Sequence, residues 1–133
     1  MATIYDLTAS QQITSLHNEP HTPLVTWTKQ RQFGSGAVKV KLDDVTVDEG
    51  FGPVPFDYVD YRIGIYKRSP GTTGQIAIKT IRKRWGVNPG WITIGTVGGG
   101  YFSLQTQLVS FEPYGLGGGP NPWVTATFDL IHG

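Results

Sequence analysis

The chain contains no cysteine. Disulfides, thiolate metal sites and cysteine nucleophiles are therefore excluded, and noncovalent packing has to hold the fold. Charge is scarce as well: 16% of the 133 residues are charged and 38% are hydrophobic, which excludes wholesale disorder. No apolar run approaches the ~20 residues of a membrane-spanning helix. With a net charge of +1, the molecule as a whole is not drawn to nucleic acid or to acidic lipid. Met1-Ala2-Thr3-Ile4-Tyr5-Asp6-Leu7-Thr8 lacks a basic n-region and an apolar h-region. No signal peptide is expected, and the expected setting is synthesis in the cytosol followed by residence in the cytoplasm or a virion.

Glycine is abundant, with 18 copies beside 9 prolines. Both break helices, so a helical bundle is excluded. Period-2 alternation replaces helical periodicity from Ala37 onward. Val38, Val40 and Leu42 alternate with Lys39 and Lys41, and Val45 and Val47 continue one residue out of phase. A bulge at Asp43-Asp44 restores the register. Val59, Tyr61, Ile63 and Ile65 share a face. So do Ile76 and Ile78, then Ile92 and Ile94, then Phe102, Leu104 and Leu108, and last Val124, Ala126, Phe128 and Leu130. Ser69 to Gly74 reads as a hairpin connection, and Gly98-Gly99-Gly100 as a turn. The expectation is an all-β, antiparallel two-sheet β-sandwich, jelly-roll-like, of seven or eight strands; the alternative is a closed β-barrel.

Residues 1–36 read differently. They are polar, with isolated apolar residues, and Glu19-Pro20 and Thr22-Pro23 bar a long helix. Thr8-Ala9-Ser10-Gln11 resembles a helix start, Val25 to Thr28 a short strand, and Gly34-Ser35-Gly36 a hinge. The division expected is an extended N-terminal arm over 1–36 and a β-sandwich domain over 37–133. Leu7, Ile13, Leu16 and Trp27 are the arm's apolar anchors for docking on another copy.

Charge is segregated along the chain. Asp43, Asp44, Asp48, Glu49, Asp57 and Asp60 follow one another with no base between them, and Arg62, Lys67, Arg68, Lys79, Arg82, Lys83 and Arg84 follow with no acid. Pairing across neighbouring strands explains this, and so does docking of an acidic patch of one copy (Asp43, Asp44, Asp48, Glu49) on a basic patch of the next (Arg82, Lys83, Arg84).

Catalytic and metal-binding patterns are weak. His17 and His21 stand four apart, but Pro20 breaks the helical face they need. Asp43, Asp44, Asp48 and Glu49 lack the alternate spacing of a calcium loop. Asp57 and Asp60, three apart in a strand, point to opposite faces. Gly34-Ser35-Gly36 is no nucleophile elbow, and neither Gly98 to Gly100 nor Gly117 to Gly119 leads into a phosphate-binding helix. Ile81-Arg82-Lys83-Arg84-Trp85 joins bases to an aromatic ring, yet the neighbouring acids argue against nucleic acid. No catalytic residue, metal or cofactor is expected. Asn88-Pro89-Gly90-Trp91 is echoed by Asn121-Pro122-Trp123, and with Tyr114 these place aromatic rings and amides at turns, where sugar sites form. The function expected is a non-enzymatic structural subunit of a larger homo-oligomeric assembly, such as a virion or phage coat, decoration or fibre protein. Its partners would be copies of itself and other assembly subunits. The alternative is a soluble lectin-like module binding glycans through Trp91, Trp123, Tyr114, Asn88 and Asn121.

Overall fold

A computed structural model describes residues 2–13, 20–48, 52–68, 74–113 and 122–133 of the chain. Seven strands run through them, with no helix: β1 (Ala2–Gln12), β2 (Val25–Asp48), β3 (Pro53–Val54), β4 (Phe56–Lys67), β5 (Gly74–Arg84), β6 (Trp91–Pro113) and β7 (Trp123–His132). All pairings are antiparallel, in the order β1-β7-β2-β6-β4-β5, with β3 on β2. The sheet is not closed into a barrel: β1 pairs with β7 and β5 with β4, and neither pairs with a further strand among the described residues. The barrel alternative is thereby overturned.

β2 has 24 residues and β6 has 23. Drawn straight, each would span roughly 75–80 Å, several times the ~14 Å radius of gyration of a compact chain of this length. Both therefore bend, and glycine marks the place. Phe33 pairs with Gly100 and Ser35 with Gly98, so the two expected turn segments, 34–36 and 98–100, lie opposite one another inside continuous strands. Gly99 and Gly100 have φ of 87° and 126°, and Gly36 has 135°. Such angles let a strand coil sharply without reversing, which side chains resist. Gly99→Val is expected to lose roughly 1–3 kcal/mol through φ strain, with Ser35 N 3.5 Å from the new Cβ. Gly98→Ala, which meets open space at an ordinary φ, should melt close to the parent, and thermal melts of the two variants check the difference.

The bend brings the sheet's two halves around one core. Val38, Val40, Leu42, Val124, Phe128 and Leu130 are buried from one half, and Val59, Tyr61, Ile63, Ile65, Phe102, Leu104 and Leu108 from the other. Trp27 meets Phe128 edge to face at 6.0 Å between centroids. The expected bulge is present, with β2 slipping against β7 between Leu42 and Asp44. One expectation of phase is overturned: Ile76 is exposed and Ile78 half-buried. Ile76 falls in the register shift between Ala77 and Gln75, and regular pairing of Ile81 with Tyr61 and of Ala77 with Ile65 puts Ile78 on the outer side. There Ile78 lies over Gly64, whose missing side chain leaves room for it.

Among the described residues of the first 36, β1 and the first half of β2 belong to the same sheet as the rest of the chain rather than to a separate arm. Leu7, Ala9, Gln11 and Ile13 alternate inward, and β1 pairs with the chain's own β7 from Ala2–His132 to Gln12–Trp123. Ile13 N donates to Pro122 O at 2.9 Å. The helical turn expected from Thr8 is a strand, and the short strand at Val25 is the start of β2, which runs on through the expected hinge. Alternation that uses Ala9 and Gln11 as inward positions carries little hydrophobic contrast, so its period is faint in the sequence.

Candidate functional site

The acidic and basic blocks meet within the chain where β4 and β5 pair. Arg82 Nε and Nη2 donate to Asp60 Oδ1 and Oδ2 at 2.8 and 2.9 Å, a bidentate pair that holds the guanidinium proton more tightly still. Arg84 lies 4.0 Å from Asp57. The Arg82 guanidinium stacks on Tyr58, 3.8 Å from its centroid. Lys83 points the other way and is buried. Its Nζ donates to Arg84 O at 3.1 Å and Val87 O at 2.5 Å, tying down the turn after β5. Burial lowers its pKa, with Asp44 opposing. Of the three bases proposed to dock on another copy, Arg82 and Lys83 are thus already engaged. Glu49 and Leu16 lie outside the described residues, and Leu7 and Ile13 are buried in the core. Asp48 Oδ1 accepts from Gly52 N.

The outer face of the β1-β7-β2 half is hydroxyl-rich. Pairing aligns Ser10 with Thr125 and Thr8 with Thr127, and sets Thr46 beside Thr125. Ser10 Oγ and Thr125 Oγ1 are 2.9 Å apart. Trp91 pairs with Lys41 and Trp123 with Asp48, so both tryptophans lie on this face, about 20 Å apart along β2 by strand rise. They are 41% and 49% exposed. Asn88 belongs to the turn before Trp91, where its Oδ1 accepts from Gly90 N–H at 2.7 Å. Tyr114 and Asn121 lie outside the described residues. The structure thus brings two of the five proposed sugar-site residues onto one face and gives a third a turn-stabilising bond.

At the Trp91 end, Lys41 Nζ lies 5.1 Å from the indole centroid, 3.4 Å from Asp43 and 4.0 Å from Asp129. Asp129 Oδ1 accepts from Asp6 N–H at 3.0 Å, the bond that fixes Asp6 at its positive φ of 55°. Burial, then the neighbouring Asp129 carboxyl, raises the Asp43 pKa, and Lys41 offsets this in part. The ion pair is half exposed and therefore weak, so burial and repulsion prevail. The raised pKa means that folded Asp43 takes up its proton at higher pH than unfolded Asp43. Its unfavourable contribution is largest near neutrality and fades as pH falls through the folded pKa towards 3.8. Asp43→Asn is expected to raise the melting temperature at pH 7 and to leave it nearly unchanged at pH 4, as paired thermal melts will read.

A groove of about 390 Å³ runs between Thr8–Gln11 of β1 and Val25–Lys29 of β2, with Thr106 at its floor. Trp27 Nε1 donates to Thr106 Oγ1 at 3.0 Å. Gln11, one of the lining residues, belongs to a buried polar network that is not evident from the sequence. Tyr61 OH donates to Gln11 Oε1 at 2.7 Å, Gln11 Nε2 to Thr22 Oγ1 at 2.9 Å, and Gln107 Nε2 to Thr22 O at 3.0 Å. Burial pushes the Tyr61 hydroxyl well above the ordinary tyrosine range. The available signal was Tyr61 itself, a phenol on an otherwise aliphatic inward face, which requires a partner. Among the described residues no three of His, Cys, Asp and Glu gather as metal ligands, and no helix is long and apolar enough to cross a membrane. No family model, curated protein or solved structure matches the chain.

Proposed function

We propose that this chain is a non-enzymatic structural subunit of a larger homo-oligomeric assembly, of the kind that forms coats, decorations or fibres of a virion. The observation that carries the reading is that the outermost strands β1 and β5 each pair on one side only among the described residues, since strand edges are templates for pairing with another chain. Exposed Tyr5, Leu24, Val25 and Tyr101 add apolar surface on or beside β1 and the first half of β2, of the kind that marks contact regions when it is contiguous. In this reading the two halves of the bent sheet act as the layers of a sandwich, rigid enough to be tiled. Native mass spectrometry of the full chain tests it: one discrete copy number supports assembly, and monomer alone at every concentration refutes it.

A lectin-like module is the second reading, favoured by Trp91 and Trp123 on one hydroxyl-rich face. Exposed indoles stack on sugar C–H surfaces, and the hydroxyls between them offer hydrogen bonds. It requires quenching of tryptophan fluorescence by a polysaccharide and loss of that response in Trp91→Ala/Trp123→Ala. Glycan binding with no oligomer would favour it over assembly.

A further inference from the structure

Acid is missing from one part of the sheet. Residues 20–42, 61–81 and 86–111 contain no Asp or Glu, and all ten acids of the chain fall outside these stretches. The stretches meet where the first half of β2, the second half of β6, the end of β4 and the start of β5 pair side by side. Lys29, Arg31, Arg62, Lys67, Arg68 and Lys79 stand there, so a chain of net charge +1 has one strongly cationic region. Its outward arginines are held by neutral acceptors. Arg62 donates to Thr80 Oγ1 and Gln107 Oε1, and Arg68 to Ser103 Oγ and Trp27 O. Such bonds fix the side chains and leave their charge uncompensated.

Two bases of this region flank one ring. Arg31 pairs directly with Phe102, and directly opposed residues project to the same face of a sheet. From the other side, Lys67 Nζ lies 5.7 Å from the centroid of the Phe102 ring. β2 and β4 are the two neighbours of β6, so the two backbones stand about two strand spacings, ~10 Å, apart. An arginine and a lysine side chain together span that distance. Phe102 is buried and stacks on Phe33 at 5.5 Å, which stacks on His132 at 4.9 Å, so the ring between the bases is held in place. Among the described residues no ion pair joins Arg31 or Lys67 to a carboxylate. Arg31 Nε is buried and has no hydrogen-bond partner.

A buried, unpartnered donor on a charged group is costly, and an ordered water or an ion is the usual remedy. Water would satisfy the hydrogen bond but not the charge. An oxyanion satisfies both. The guanidinium offers Nε–H and Nη–H as a fork that matches two oxygens of a phosphate or sulfate group, and a lysine ammonium takes a third as a point charge. Arg31 is half-buried, and a small turn of its side chain brings the fork toward Lys67. We infer that Arg31 and Lys67 form a binding site for a phosphate or sulfate group, seated beside Phe102 in the acid-free part of the sheet.

Inorganic phosphate is the probe. The melting temperature of the full chain is followed against phosphate at pH 7, with chloride keeping the ionic strength constant. The parent should show a saturable rise, because a ligand that binds only the folded state stabilises it by mass action. Arg31→Gln and Lys67→Gln should each weaken the apparent phosphate affinity roughly fivefold or more. Lys79→Gln removes the same charge from β5 and should leave the affinity within about twofold of the parent. Equal weakening by all three variants would mean diffuse attraction of anions, and a parent that responds to phosphate no more than to chloride would mean that water serves Arg31. Either result overturns the site. Should Arg31→Gln fail to fold, Lys67→Gln decides, since Lys67 is the last residue of β4. Polyphosphate separates the sources once binding is seen: equal affinity per phosphate assigns the site to the free anion, and tighter binding assigns it to a phosphate group carried on a polymer.

Discussion

Replacing Phe128 by alanine is expected to destabilise the chain by about 3–5 kcal/mol, the usual loss for a fully buried phenylalanine. For a domain of this size that lowers the melting temperature by roughly 10–20 °C. Phe128 is completely buried in β7, flanked by Leu7 on β1 and Leu42 on β2, with Trp27 edge-on. Both halves of the bent sheet thus converge on one ring, and a cavity there cannot be closed by moving a single strand. Near-ultraviolet circular dichroism should report the same loss through Trp27. A Phe128→Ala melt within a few degrees of the parent would mean that the halves do not share a core.

Removing residues 1–13 is expected to have the largest effect. The truncation withdraws Leu7 and Ile13 from the core, about 1.5–3 kcal/mol each. It also takes away Gln11 Oε1, the acceptor of the buried Tyr61 hydroxyl, and an unpartnered buried hydroxyl costs about a further 1–3 kcal/mol. Together these approach the whole stability of an ordinary domain, about 5–15 kcal/mol. The truncated chain should fail to fold or melt at least ~15 °C lower, measured by calorimetry. A truncated chain that melts like the parent would mean that these residues add nothing to the core.

The sequence made the β architecture legible because Val, Ile, Leu and Phe fill the inward positions of β2, β4, β6 and β7. Val38 to Leu42 and Val124 to Leu130 alternate with polar residues on a solvated outer face, and their burial follows that pattern. Two kinds of position escaped it. In β1 the inward places go to Ala9 and Gln11, one small and one polar, so the strand is revealed by pairing with β7 and by the bond to Tyr61. At 34–36 and 98–100, glycines that usually end a strand instead bend it, because two such segments lie opposite each other and coil together. Of the candidate site, Trp91 and Trp123 were readable as turn-leading aromatics. Their common face was not, since it depends on β2 taking β6 and β7 as its two neighbours, pairings between strands far apart in the chain. The Asp60–Arg82 pair was readable as adjacent charge blocks on consecutive strands.

The central claim is that this 14.6 kDa chain works as an assembled subunit, and light scattering coupled to size exclusion over a wide concentration range tests it most directly. The account predicts a mass that is an integer multiple of the chain's own, falling toward the monomer on dilution. A single mass equal to that of one chain, unchanged up to the highest soluble concentration, would contradict it.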